Sequence, residues 1–459
     1  MKVRVAILII FWVMSSLSAG VLSATATPVP AVRAASGLPA PLESTSAVTY
    51  TTHLPLVLNC HPRLGPDPYF SYQYDMSIIN ADDAWGLCSV DAGQVTVAII
   101  DTGVDLDHPD LRANLLSGYD YWDYDAVPED GNGHGTNVAG IAAAALNGIR
   151  VAGAAPTAKI LPVRVLTNSG SGYISDIADG IIYAADRAQV LNLSLGGTTN
   201  SSTMLNAIDY AANTKGRLVV AAAGNCGGSN YLANGCQVQN QTVYPAAYSN
   251  VMAVAATTSL DARASFSNQG AYVDIAAPGS SIYNTYYGNS YAYESGTSQA
   301  APHVAGLAAL VWARNPGYTA AQVRSRITST AVDLGAVGVD TSFGAGRIDV
   351  ARALGLTALQ ANLPEVSVVE AAQVPVVDQR AAPIAPGRII IKFKESASEH
   401  SASRILGALS GAAVGRPIPA IDALVLRVPV GAEWKVIDQV RTQPEVEYAE
   451  PDYILQLIR

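Results

Sequence analysis

Gln94-Val95-Thr96-Val97-Ala98-Ile99-Ile100-Asp101-Thr102-Gly103 is the stretch that sets the fold class. From Val95 to Ile100 the residues are apolar almost without alternation, as in a strand buried on both faces of a parallel sheet. The run stops at a carboxylate, and open parallel sheets place their chemistry at the carboxyl ends of their strands. Similar runs recur at 160–166, 190–195, 218–223 and 251–255, with helical stretches such as 174–187 and 202–212 between them. Strand and helix in alternation predict a doubly wound α/β domain with a mostly parallel sheet.

Two further stretches share a design. Gly131-Asn132-Gly133-His134-Gly135-Thr136-Asn137-Val138-Ala139-Gly140 and Gly296-Thr297-Ser298-Gln299-Ala300-Ala301-Pro302-His303-Val304-Ala305-Gly306 each set a polar side chain among small residues at the start of an Ala-rich helix. Free backbone N–H groups and the positive end of the helix dipole favour negative charge there. The strand at 218–223 runs into Gly224-Asn225, where a side-chain amide can donate to a developing oxyanion. A serine or histidine alone at a helix start is usually a cap or a structural group. Asp101, His134 and Ser298 together follow one of the known chain orders of a nucleophilic triad.

With their neighbours Val104, His108-Pro109-Asp110-Leu111 and Ala223, these motifs resemble the subtilisin family of serine peptidases over roughly residues 66–355. The thermitase-like branch begins with a segment similar to Asp67-Pro68-Tyr69-Phe70. The resemblance implies a catalytic set of Asp101, His134 and Ser298, with Asn225 at the oxyanion. It also implies that Ser194-Leu195-Gly196 and the Gly170–Gly172 segment pair with the substrate backbone as added strands. Gln299 departs from the family, which usually has Met there. A non-catalytic secreted binding protein on the same scaffold is the alternative reading.

Asp120, Asp123, Asp125 and Glu129 form an acidic, oxygen-rich run of the kind that suits Ca²⁺, and the thermitase-like branch carries a calcium loop here. The resemblance implies a second calcium site at Asp67 and Asp110, completed by carbonyls of the 146–151 loop, although that loop looks one residue shorter than in the family.

Residues 1–26 read as a secretory signal: Lys2 and Arg4, an apolar run over 5–13, and Ala24-Thr25-Ala26. Residues 27–62 are a Pro/Ala/Ser-rich tether, 63–356 the peptidase domain and 357–386 a linker. The 459-residue chain carries a net charge of −10, which argues against nucleic acid as a partner. Protein or peptide substrates, an extracellular site of action, no membrane span once the signal is removed and a monomeric state are expected. Four cysteines in an exported chain suggest two disulfides, with Cys60–Cys88 and Cys226–Cys236 the pairs closest in sequence.

Residues 387–459 change character. Their strand and helix patterns predict a small βαββαβ, ferredoxin-like α+β domain. Pro386-Gly387-Arg388-Ile389-Ile390-Ile391-Lys392-Phe393 and Val446-Glu447-Tyr448-Ala449-Glu450-Pro451-Asp452-Tyr453 resemble the propeptide of fervidolysin-like subtilases, which in the family precedes the peptidase. The resemblance implies that this module packs on the catalytic domain in cis as an inhibitor or folding aid, with 455–459 in the cleft near Ser298.

Overall fold

The computed structural model describes residues 67–85, 91–229, 231–232, 236–356, 380, 382–409 and 411–457. The chain divides into Met1–Pro55 and Leu56–Arg459. The signal, the tether, most of the linker and the Cys60–Cys88 pair lie outside the described residues.

The strands in chain order are β1 (Thr96–Asp101), β2 (Tyr119–Asp120), β3 (Lys159–Arg164), β4 (Ser171–Tyr173), β5 (Val190–Leu193), β6 (Leu195–Gly196), β7 (Leu218–Ala222), β8 (Val251–Thr257), β9 (Ile275–Pro278), β10 (Ile282–Tyr286), β11 (Ser290–Glu294), β12 (Ile384–Phe393), β13 (Ala413–Ile418), β14 (Ala423–Arg427) and β15 (Val446–Leu457). The α-helices are α1 (Tyr74–Ile78), α2 (His134–Ala143), α3 (Ile174–Ala185), α4 (Ser202–Asp209), α5 (Thr297–Arg314), α6 (Ala320–Ser329), α7 (Val350–Ala353), α8 (Glu399–Gly407) and α9 (Glu433–Arg441).

Seven strands form one parallel sheet in the order β2-β3-β1-β5-β7-β8-β9. Its strands are buried on both faces, which is why they read as continuous apolar runs. Along β1, Val97 and Ile99 enter one core, shared with α2 and α5, while Ala98 and Ile100 enter the opposite core under α3 and α4. β1 pairs with β3 on one side and β5 on the other, so the order reverses at β1 and Asp101 stands at the switch point.

Two features depart from the sequence expectation. The run 190–195 breaks at Ser194 into β5 and β6, because Ser194 leaves the sheet to bond Ser298. The antiparallel β10–β11 hairpin, which carries no strong apolar alternation, precedes α5 directly.

The C-terminal segment pairs antiparallel in the order β13-β14-β12-β15. One face of this sheet packs on its own α8 and α9 through Ile389, Ile391, Leu426 and Ile437. The other face, with Ile390, Val425 and Tyr453, joins the core beneath α3 and α4. Two carboxylates, two apart on β15 and so on one face of the strand, reach the starts of those helices. Glu450 accepts from Ser201 Oγ (2.7 Å), Ser202 N (2.9 Å) and Thr203 N (2.9 Å) at α4. Asp452 accepts from Ser175 N (3.0 Å) and Ser175 Oγ (2.8 Å) at α3, and pairs with Arg388 at 2.8 Å. Arg416 pairs with Asp176 and Asp179. Charge-assisted bonds of this kind are among the stronger polar contacts in proteins.

Candidate active site

β1 delivers Asp101, which is fully buried. Its Oδ1 accepts from Thr102 N (2.7 Å) and meets His134 Nδ1 at 2.8 Å. His134 opens α2 behind Gly133, whose φ of 105° is in the left-handed region. A side chain at Gly133 would also strike the Tyr286 ring, so glycine is required on both counts. Asp130 ties this turn together, accepting from Thr102 Oγ1, Asn132 N, Gly133 N, Thr136 N and Thr136 Oγ1.

Burial works against a charged His134. The Asp101 carboxylate outweighs it through charge and hydrogen bond, with Asp130 and Glu294 adding to it, so the imidazole pKa is held above its ordinary 6.5. Nδ1 faces the carboxylate, and Nε2 is buried with no hydrogen-bond partner among the described residues.

Ser298 is the second residue of α5. Pro302, four residues on, has no N–H to return to the Ser298 carbonyl. That carbonyl instead accepts from Ser194 Oγ at 2.7 Å, while Ser298 Oγ donates to the Ser194 carbonyl at 3.1 Å. The start of α5 is thereby clamped to the β5–β6 break. A Ser298–His134 hydrogen bond is not made; such bonds commonly tighten only when substrate is in place. Asn225 follows β7, and its Oδ1 accepts from Thr297 N (3.0 Å) and Thr297 Oγ1 (2.9 Å). With its oxygen fixed, the amide can donate only through Nδ2.

β4 and β6 form the two banks of a groove. β15 lies between them, antiparallel to both, with Leu455 level with Gly172, Gln456 with Ser171 and Gly196, and Leu457 with Leu195. Leu457 N donates to Gly170 O at 2.8 Å. Leu455 and Leu457 are buried, and Gln456 between them faces out. Gly170 leaves room for the Leu457 side chain, which a Cβ there would meet at 2.6 Å. The Gly170, Gly172, Ser194, Leu195 and Gly196 segment thus meets a strand of this chain's own tail. Beside it lies a cavity of about 120 Å³ bounded by Gly196–Thr199, Asn225, Val243 and the Cys226–Cys236 disulfide.

The acidic residues separate into two groups. Asp120 and Asp123 both close on Arg164, at 2.7 and 3.0 Å. Asp125 Oδ1 accepts from Val127 N at 2.8 Å, and Glu129 Oε2 from Leu106 N at 3.3 Å. The run therefore does not converge as expected from its sequence: Arg164, in register with Asp120 on the neighbouring strand, supplies the cation. Asp67 and Asp110 behave differently. Asp67 Oδ1 accepts from Gly148 N (2.6 Å) and Asp110 Oδ2 from Val151 N (3.3 Å) and Tyr291 OH (2.8 Å). Their other oxygens are buried with no hydrogen-bond partner among the described residues. Burial, with Asp110's charge adding to it, pushes Asp67 up to about 6. Two buried oxygens of negative charge beside a loop rich in carbonyls suit a hard cation.

Sequence reasoning missed Thr297, Ser194 Oγ and Arg164, whose roles arise from contacts between distant segments. It also missed the helix-capping pair Glu450 and Asp452, whose spacing of two on one strand was the available signal.

A parallel sheet with a carboxylate–imidazole pair at its switch point and a serine at a facing helix start defines a serine hydrolase of α/β type. The subtilase family matches residues 92–346, and the fervidolysin N-terminal prodomain matches residues 370–452. Thermitase of Thermoactinomyces vulgaris is 47% identical over 291 residues, 63% of this chain and 98% of thermitase. A thermophilic serine proteinase of Bacillus sp. (strain AK1) is 49% identical over 283 residues, 61% of this chain and 66% of that protein. Among solved structures, a protease of Pseudoalteromonas arctica aligns with a TM-score of 0.55 at 35% identity, covering 63% of this chain and 98% of that one. The chain belongs to the subtilase family and is a subtilisin-like serine endopeptidase.

Proposed function

We propose that this chain is an exported endopeptidase whose Ser298 attacks the peptide carbonyl and whose own C-terminal module restrains it. The observation that carries the catalytic reading is the 2.8 Å Asp101–His134 contact, with a nucleophile helix clamped nearby and Asn225 oriented by Thr297. His134 Nε2 takes the Ser298 proton as Oγ bonds to the carbonyl carbon. Asp101 holds the tautomer and stabilises the imidazolium. Asn225 Nδ2 and the Ser298 N–H receive the oxyanion. The imidazolium then protonates the leaving amine, and water, deprotonated by His134, releases the acyl group.

The base must be neutral to act, and its folded pKa lies above 6.5. Activity is therefore lost as pH falls through that raised value. The acid limb of kcat/KM is expected above pH 6.5; a limb at or below it counts against His134 as the base.

The inhibitory reading rests on β15 filling the groove as a substrate would. A linker of about thirty residues spans roughly 30 Å as a flexible coil. Tethering raises the tail's effective concentration to ~mM, so weak docking suffices. Residues 63–356 are then the peptidase and 387–459 the restraining module. Export is supported by the signal pattern in 1–26; among the described residues no helix is long and apolar enough to cross a membrane.

Calcium fits Asp67 and Asp110 by donor chemistry, with carbonyls of the 146–151 loop to complete its shell. When bound, it neutralises two buried carboxylates and braces the start of the domain. Against excess Ca²⁺, EGTA should lower Tm by about 4–5 °C, the effect of a ligand held near 100 Kd in a domain of this size. Asp110→Asn should abolish the difference. Identical melting curves with and without the chelator contradict the site.

A further inference from the structure

The oxyanion donor Asn225 stands where its strand leaves the sheet. Ala223 N still bonds Val254 O on β8 at 3.0 Å. The next donor along β8, Ala256 N, bonds Ser267 Oγ at 3.0 Å, so it does not reach the Ala223 carbonyl. Backbone that departs from its ladder needs other partners for its polar groups.

Asn268 supplies them. It lies between β8 and β9 and is fully buried. Its Nδ2 donates to Ala223 O (3.0 Å) and to Gln241 O (2.9 Å), its Oδ1 accepts from Cys226 N (2.7 Å), and its backbone N donates to Gly224 O (2.9 Å). Only this orientation of the amide matches two carbonyls with its donor end and an N–H with its acceptor end. Tyr272, four residues on, adds its hydroxyl to the same Ala223 carbonyl at 2.8 Å. Between these contacts Gly224 has a φ of 113°, and a Cβ there would meet Asn268 Nδ2 at 2.5 Å, so the turn and the amide fit together only through glycine.

Asn225 is thus held from two directions. Thr297 fixes its side-chain oxygen, and Asn268 fixes the backbone on either side of it through Gly224 O and Cys226 N. A donor to a developing oxyanion acts by being in place before charge appears. Misplacement of a reacting group by about 1 Å can cost on the order of 10²-fold in rate. The same amide reaches Gln241 O, two residues before Val243 at the cavity beside the groove. One buried side chain therefore supports both the oxyanion donor and the wall next to it.

We propose that Asn268 is a positioning residue for catalysis, which acts through Asn225 by holding its amide on the oxyanion and touches no substrate itself. This rests on the catalytic reading above and deepens it by naming what places the oxyanion donor.

The test is a double-substitution cycle in the full chain. Parent, Asn225→Ala, Asn268→Ala and the two substitutions together are compared by kcat/KM on one internally quenched peptide and by Tm. β15 pairs with β4 and β6, which neither substitution alters, so the tail slows all four proteins alike. Asn225→Ala should cost about 10²–10³-fold. Asn268→Ala should cost about tenfold in the parent. Once the Asn225 amide is removed it should cost less than about twofold, because the group it places is gone. A purely structural role gives the same fold-loss in both backgrounds. That result, or a loss below about twofold in the parent, overturns the proposal. Asn268→Asp keeps the side-chain size and the acceptor for Cys226 N, and it carries the same cycle with the same expectation if the alanine variant does not fold. Failure of both variants to fold assigns Asn268 to the fold and overturns the proposal. Absence of hydrolysis by the parent overturns the catalytic reading itself, and the proposal with it.

Discussion

Ser298→Ala should reduce peptide hydrolysis by about 10⁶-fold while the protein keeps its fold, since loss of the nucleophile removes the whole covalent route. The substitution deletes one hydroxyl from a fully buried site. Among the described residues, what is lost is the 3.1 Å bond from Ser298 Oγ to the Ser194 carbonyl, a contribution of about 1 kcal/mol. The clamp in the opposite direction, Ser194 Oγ to the Ser298 carbonyl at 2.7 Å, uses only backbone at position 298 and survives. Tm should therefore change little. Turnover within tenfold of the parent, measured on protein free of other peptidases, is the result that contradicts Ser298 as nucleophile.

Asp101, His134, Asn225 and Ser298 could be picked out of the sequence because each stands at a strand end or helix start that small residues mark. Backbone geometry there depends on local sequence, as the positive φ of Gly133 and of Gly224 shows. The sheet was legible for a related reason: strands buried on both faces leave unbroken apolar runs. The hairpin from Ile282 to Glu294 was not, because its two strands mix tyrosines with polar residues and leave no apolar run. The acidic run 120–129 has a distant partner that its own sequence does not show. Nothing near it in sequence announces Arg164, which arrives from the next strand and takes up two of its carboxylates. The pair Asp67 and Asp110, doubted because of a shortened loop, retains two buried oxygens with no hydrogen-bond partner among the described residues. The Cys226–Cys236 disulfide follows the proximity of the two residues in sequence. β15 runs on to Leu457, because the strand does not stop with its own module but continues between β4 and β6.

The second large effect is expected from that continuation. Leu455→Asp with Leu457→Asp should raise the activity of the full chain about 100-fold. Each leucine is buried, and burial of such a side chain contributes about 2 kcal/mol. Replacing both with carboxylates forfeits that contribution and adds the cost of desolvating charge. The rest of the module keeps its hold through Glu450 on α4 and through Asp452 and Arg388 at α3, so the change is confined to the groove.

A fluorophosphonate probe reads the nucleophile and its restraint in one measurement, because it reacts only with an activated serine. Parent and Leu455→Asp/Leu457→Asp chains are treated in parallel, and the modified residue is mapped by peptide mass spectrometry. The probe should add to Ser298 in both proteins, slowly in the parent and about 100-fold faster in the variant, as expected for a tail held at ~mM effective concentration. No label on Ser298 in either protein, or equal labelling rates in the two, contradicts the account of a competent serine peptidase held by its own tail.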